Sequence, residues 1–133
     1  MKVAILGAGN IAKSMAAAVR GLQKRGEDVE PYAVGARELA RAEAFAKAEG
    51  FAKAYGSYEE LVRDPEVDLV YVATPHAMHY AHTKLALEHG KNVLCEKAFT
   101  MNAEQAGEVI RLAEEKGLLL TEAIWPRYMP SRQ

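Results

Sequence analysis

Cysteine is almost missing from this chain of 133 residues: Cys95 stands alone. No disulfide can form within it, and a reducing compartment is expected. Charge bias is missing too, with 17 Lys and Arg against 18 Asp and Glu, a net charge of −1. Neither nucleic acid nor a membrane surface is therefore expected as a partner. No apolar run approaches the roughly 20 residues of a bilayer span. Residues 1–10 lack the basic segment and long apolar stretch of an export signal, so the expected location is cytoplasmic. Repeats, low-complexity tracts and internal linkers are absent. The length suits one domain with an adequate core. His79, His82 and His89 have no matching Cys or carboxylate spacing, so no metal site is expected. His82 and His89 are expected at the surface.

What is present begins at the first strand. Val3-Ala4-Ile5-Leu6 is all apolar and runs into Gly7-Ala8-Gly9-Asn10-Ile11-Ala12, a G-x-G-x-x-A spacing. A helical series follows at Ile11, Met15, Val19 and Leu22. A strand, a tight turn and a helix start in this order form a dinucleotide phosphate site. Gly7 permits the turn, Gly9 permits close approach of backbone to a pyrophosphate, and Ala12 permits close packing of helix on strand. The N–H groups of the first turn, at Asn10 and Ile11, and the positive end of the helix dipole face the phosphates.

Strands and helices then alternate. Helix 10–24 is followed by a strand at Tyr32–Gly35. A helix at Glu38–Glu49 has Leu39, Ala42, Phe45 and Ala46 on one face, and Gly50 caps it. Phe51–Tyr55 reads as the third strand. Ser57-Tyr58-Glu59-Glu60 is a capping box for a brief helix to Val62. Val67–Ala73 reads as a strand buried on both faces, and a helix runs from about Ala77 to His89. Asn92–Cys95 is the fifth strand. Asn102 caps a helix with Ala103, Ala106, Val109, Ile110 and Ala113 inward, and Leu118–Thr121 is the sixth strand. Repeated βα units predict an α/β, doubly wound parallel sheet of the Rossmann type, with six strands in the order 3-2-1-4-5-6.

The end of the second strand selects the cofactor. An NAD site normally carries Asp or Glu there to hold the ribose 2′-hydroxyl. This chain has Val34-Gly35-Ala36-Arg37, with Arg41 one helical turn later. Two guanidinium groups and no carboxylate suit the 2′-phosphate of NADP, so NADP is expected over NAD. The alternative is that Arg37 and Arg41 are solvated residues paired with Glu38 or Glu43.

In such a sheet ligands bind beyond the carboxyl ends of the strands, where the order reverses between the first and fourth strands. Thr74, Pro75 and His76 are thereby placed beside the cofactor, with His79 at the next helix start ordering the loop. The fifth strand ends in Cys95-Glu96-Lys97-Ala98, which puts Glu96 and Lys97 at the same edge. A lysine facing a nicotinamide is a candidate general acid/base. Cys95 reads as a small buried strand residue.

Taken together, Gly7-Ala8-Gly9-Asn10-Ile11-Ala12, Ala73-Thr74-Pro75-His76-Ala77-Met78-His79 and Cys95-Glu96-Lys97 resemble the Gfo/Idh/MocA oxidoreductases. Residues 95–100 and 118–128 are similar to the dihydrodiol dehydrogenase branch, with its E-K-P-F-T and M-E-A-x-W-x-R-F. The resemblance implies NADP-dependent oxidation of an alcohol, diol or sugar carbon, or the reverse carbonyl reduction. It implies that Lys97 is catalytic and that Trp125 and Arg127 lie near the nicotinamide end. Ala98 stands where the family has proline, and alanine holds its peptide bond trans by about 2.5–4 kcal/mol.

The resemblance also divides the chain. Residues 1–122 would form the dinucleotide-binding domain, and residues 123–133 the start of a C-terminal α/β substrate domain that is otherwise absent. The chain is thus expected to be the cofactor domain of an oxidoreductase, incomplete for catalysis alone. Two alternatives are a nucleotide-binding module without turnover and a truncated product without activity. Leu118–Ile124, Trp125, Tyr128 and Met129 would lack a cover, which predicts a homo-oligomer, a two-fold dimer, through the last strand or the tail.

Overall fold

The computed structural model describes residues 1–74, 78–96 and 103–123. Its elements are β1 (Lys2–Leu6), α1 (Asn10–Lys24), β2 (Glu30–Gly35), α2 (Leu39–Glu49), β3 (Lys53–Tyr55), α3 (Tyr58–Val62), β4 (Leu69–Val72), α4 (His79–Glu88), β5 (Asn92–Glu96), α5 (Ala103–Lys116) and β6 (Leu120–Ala123). All strand pairs are parallel. The sheet order is β3-β2-β1-β4-β5-β6. The order therefore reverses between β1 and β4.

Alternation along β1 builds two cores. Val3 and Ile5 pack with Ala12, Met15, Ala16 and Val19 of α1 and Ala42, Phe45 and Ala46 of α2. Ala4 and Leu6 face the other way, toward Leu61 and Val62 of α3, Ala86 and Leu87 of α4, and Val109 and Ala113 of α5. Helices cover both faces of the sheet, so β4 is apolar throughout, as a doubly covered parallel strand must be. A bulge between Val3 and Ala4 in the β1·β2 ladder falls at Pro31 and Tyr32. Pro31 has no N–H to give the ladder. The bulge turns Tyr32 and Ala33 to the same core.

Several expected boundaries move, two of them for one physical reason. Gly50 caps α2 in the left-handed region, and the N–H of Phe51 donates back to the Ala46 carbonyl at 2.9 Å. Gly117 is also left-handed, and the Leu118 N–H donates to the Ala113 carbonyl at 2.8 Å. These six-to-one bonds make Phe51 and Leu118 parts of helix caps. Strands β3 and β6 therefore start two residues later than the apolar runs suggest. Strand β4 is shorter than Val67–Ala73 because the Val67 N–H closes a turn onto the Asp64 carbonyl. The capping box at Ser57 forms, with the Glu60 N–H donating to the Ser57 hydroxyl at 3.1 Å.

Four residues expected inward are exposed, Ala103 at the start of α5 and three larger side chains. Leu22, Leu39 and Ile110 are 36%, 48% and 50% exposed. The buried stripes of their helices are narrower than the apolar series, and each of the three lies at a stripe's margin. Among the described residues, no helix is long and apolar enough to cross a membrane.

A buried polar knot secures the half of the sheet around β2 and β3. The Asp64 carboxylate accepts from the Tyr55 hydroxyl at 2.6 Å, the Tyr32 hydroxyl at 2.9 Å and the Glu66 N–H at 2.9 Å. The buried Lys91 ammonium donates to the Asp64 carbonyl at 2.7 Å. Burial alone would raise the Asp64 pKa. The Tyr55 hydroxyl, the Glu66 N–H, the Tyr32 hydroxyl and the Lys53 charge outweigh it and hold the carboxyl below its ordinary value. Burial and the same carboxylate push both phenols up.

Candidate functional site

The carboxyl ends of β2, β1 and β4 are tied together at one peptide group, between Leu6 and Gly7. The Gly7 N–H donates to the Gly35 carbonyl at 2.8 Å, and the Ala73 N–H donates to the Leu6 carbonyl at 2.9 Å. Gly7 has φ +111°, and a Cβ on it would lie 2.9 Å from the Ala73 carbonyl oxygen. Gly7 is therefore required twice, by its backbone angle and by the nearness of β4.

Gly9 is the N-cap of α1. A Cβ there would meet nothing within 4 Å. The cap has no side-chain hydrogen bond, and the first turn holds no acidic residue. The Lys13 N–H is the first to close a helical turn, onto the Gly9 carbonyl. The N–H groups of Asn10, Ile11 and Ala12 precede it and have no carbonyl of the helix to bond. Ala12 is fully buried against the sheet, as close helix–strand packing requires. An open, uncapped helix start with a positive dipole end fits an anionic group such as a pyrophosphate.

No acidic side chain stands at the end of β2 or at the two positions that follow it. A Cβ at Gly35 would come 3.0 Å from Cδ1 of Leu61, and Ala36 is buried in the α1/α2 core. Arg37 and Arg41 follow, both exposed. Neither forms an ion pair among the described residues; both are solvated, as the alternative had it, without the pairing to Glu38 or Glu43.

Arg37 borders a cleft of about 580 Å³, whose other walls include Ser57 at the cap of α3, Tyr58 of α3, and Met78, His82 and Leu85 on the α4 side. The Tyr58 and His82 rings pack at 4.5 Å with a 60° tilt. Behind this wall lies Thr74, buried at the end of β4. Its hydroxyl is 2.8 Å from Nδ1 of His82, and its carbonyl is 2.8 Å from Nε2 of His79. The carbonyl can only accept, so the His79 ring donates from Nε2.

His82 corrects an expectation. It is buried rather than at the surface, because α4 turns His79, His82, Thr83, Ala86 and Leu87 inward at helical spacing. Burial, then the nearby His79 and Arg37, lower its pKa below the ordinary imidazole value. His89 is exposed, as expected.

The site residues expected from sequence fall into three groups. Gly7, Gly9, the backbone of Asn10 and Ile11, Arg37, Thr74 and His79 gather at the carboxyl edge around the β1/β4 reversal. Arg41 lies a turn into α2 and does not line the cleft. Glu96 ends β5, in register with Ala123 of β6. Pro75, His76, Lys97, Trp125 and Arg127 lie outside the described residues. Tyr58, Met78 and His82 were not anticipated. The three-residue spacing from His79 to His82 was the available signal, since it puts both rings on one helical stripe. No cluster of metal-ligating side chains occurs among the described residues.

Fold and edge together define a dinucleotide-binding α/β domain. The family model for the oxidoreductase family with an NAD-binding Rossmann fold, Gfo/Idh/MocA, matches residues 1–124. The chain belongs to this family, and its domain is of the NAD(P)-binding kind. It is 41% identical over 129 residues to trans-1,2-dihydrobenzene-1,2-diol dehydrogenase of Macaca fuscata fuscata, covering 97% of this chain and 38% of that enzyme. It is 63% identical over 76 residues to the NADP(+) D-xylose 1-dehydrogenase of Hypocrea jecorina, covering 57% of this chain and 19% of that enzyme. Among solved structures, the 3-ketoreductase KijD10 of Actinomadura kijaniata, in complex with NADP and TDP-benzene, superposes with a TM-score of 0.88 at 30% identity. That match covers 99% of this chain and 39% of KijD10. The chain thus spans about two fifths of the length of the diol dehydrogenase and of KijD10.

Proposed function

We propose that this chain is the NADP-binding part of an oxidoreductase acting at an alcohol, diol or sugar carbon. The observation that carries the reading is the pairing of an uncapped α1 start with Arg37 at the mouth of the cleft. The first is suited to a pyrophosphate, and the second to a 2′-phosphate where the strand end carries no carboxylate. The Tyr58–His82 wall offers an aromatic, largely apolar face to the adenine ring. Arg41, one turn along α2, adds a second cation on the same side.

When bound, the cofactor supplies the hydride carrier, and the chain's own groups position it. Lys97 follows β5 in the sequence. On the family resemblance it moves the hydroxyl proton of the substrate. The relatives named above, a diol dehydrogenase and a xylose dehydrogenase, support a polyhydroxylated substrate. The apolar side chain of Leu119, 61% exposed just before β6, supports association into a dimer.

Calorimetric titration with NADPH and NADH tests the cofactor reading, and tighter binding of NADPH is expected. A turnover assay with diols and sugars, on wild type and Lys97→Met, tests the chemistry. Equal affinity for the two cofactors would refute the NADP assignment. Turnover that survives Lys97→Met would refute the role of Lys97.

A further inference from the structure

We propose that His82 couples cofactor choice to pH: a 2′-phosphate bound beside Arg37 brings a proton onto the His82 imidazole, and a cofactor ending in a 2′-hydroxyl does not. This rests on the reading above and goes beyond it to the regulation of the same site. Three observations place the imidazole for the task.

His82 lines the cleft that Arg37 borders, so an anion held by Arg37 shares its surroundings. Its ring is fixed on two sides, by the tilted Tyr58 ring at 4.5 Å and by the Thr74 hydroxyl at 2.8 Å from Nδ1. The third observation concerns the Thr74 hydroxyl, which can donate or accept. It gives its proton to a neutral Nδ1 or receives one from a protonated Nδ1. The contact therefore survives protonation, and the ring need not move.

Without an anion, the surroundings favour the neutral ring. Among the described residues, the charged and titratable groups facing it are Arg37 from the β2–α2 turn, Tyr58 and Glu59 from α3, and His79 from its own helix. Burial, His79 and Arg37 all oppose a further positive charge. A phosphate reverses the balance, because it neutralises Arg37 and adds a negative charge to a poorly solvated cleft. Binding of the phosphorylated cofactor then takes up a proton.

The test uses the full chain with histidine side chains labelled for NMR. The His82 imidazole is titrated free, with NADP and with NAD. The expected result is a titration midpoint that rises with NADP and stays near the free value with NAD. In parallel, the ratio of NAD to NADP dissociation constants is measured at pH 8 and pH 6.5. It should grow by up to about fourfold on acidification, the limit set by a roughly tenfold rise in proton affinity from a free midpoint below the ordinary imidazole value. His82→Asn, which keeps a polar group near the Nδ1 position but does not titrate, should lose that growth. The wild-type titration stands even if the variant folds poorly. Binding of NADP with the His82 midpoint unchanged from the NAD complex would overturn the proposal and leave the NADP assignment standing. Failure of NADP to bind at all would instead remove the reading beneath it.

Discussion

Gly7 and Ala73 meet where β1 and β4 diverge: a Cβ on Gly7 would lie 2.9 Å from the Ala73 carbonyl oxygen, at a φ of +111°. Any side chain at Gly7 must push the ends of these two strands apart. Gly7→Ala is therefore expected to cost at least about 1–3 kcal/mol of stability through the backbone angle alone. It should also misplace the α1 start and weaken both NADP and NAD. Denaturant unfolding and calorimetry on the same preparation check both effects. Gly9→Ala, by contrast, meets open space, so it should leave stability nearly unchanged while weakening cofactor binding. An equal loss of stability in both variants would show that Gly9 is not kept free for a ligand.

The Asp64 knot predicts how stability depends on pH. In the folded chain its carboxyl lies below the ordinary value of 3.8. Its contribution is therefore complete above that value and is lost as pH falls through the folded pKa. His82 acts with the same sign at higher pH. Its folded pKa lies below the ordinary 6.5, so the unfolded chain binds the proton first and stability falls as pH drops below about that value. The melting temperature should decline in two stages on acidification. His82→Asn should remove the upper stage only. Asp64→Asn should remove the lower stage and destabilise at neutral pH by about 2–4 kcal/mol, since hydrogen bonds to a charged group contribute about 1.5–3 kcal/mol each. A single acid transition unchanged in both variants would refute the assignment.

The βα rhythm, the parallel order of β1 to β5 and the glycine turn from β1 into α1 were readable from residues alone, because they rest on local signals. An apolar run, a glycine pair and a helical stripe are each visible within ten residues. Boundaries set by glycine caps were not readable, since apolar Phe51 and Leu118 look like strand whether or not their N–H groups turn back to a helix. The cleft was missed for another reason. Tyr58, Met78 and His82 come from two helices, α3 and the turn into α4, and only the fold sets them opposite Arg37. A histidine three residues from another reads as surface until the helix is docked on the sheet. The β1/β4 reversal, in contrast, set Thr74 beside Gly7, where the structure has it, because topology alone decides which strand ends lie side by side.

Arg37 and Tyr58 should separate the two parts of cofactor recognition. Arg37→Ala removes a charge-assisted contact available only to the 2′-phosphate. It is expected to weaken NADP by about 1.5–3 kcal/mol, roughly ten- to a hundredfold, and to leave NAD within about twofold. Arg41→Ala should have the same direction and a smaller size, because Arg41 does not line the cleft. Calorimetry with both cofactors decides this. Equal losses for NADP and NAD in Arg37→Ala would mean that the guanidinium serves the base or the ribose rather than the phosphate.

Tyr58→Ala should behave in the opposite way. The ring forms one wall of the cleft and packs on His82, and the adenine it would face is common to both cofactors. Stacking of a base on an aromatic ring contributes about 1–3 kcal/mol, so NADP and NAD should both weaken, by similar factors, with their ratio preserved. Tyr58→Phe should keep most of the affinity, because the ring rather than the hydroxyl makes the wall. The replacement also leaves the Ser57 cap of α3 in place, so a loss of binding reflects the wall and not a melted helix. Loss in Tyr58→Phe as large as in Tyr58→Ala would show that the hydroxyl carries the interaction. A change in the NADP-to-NAD ratio would place the ring beside the ribose phosphate instead of the base.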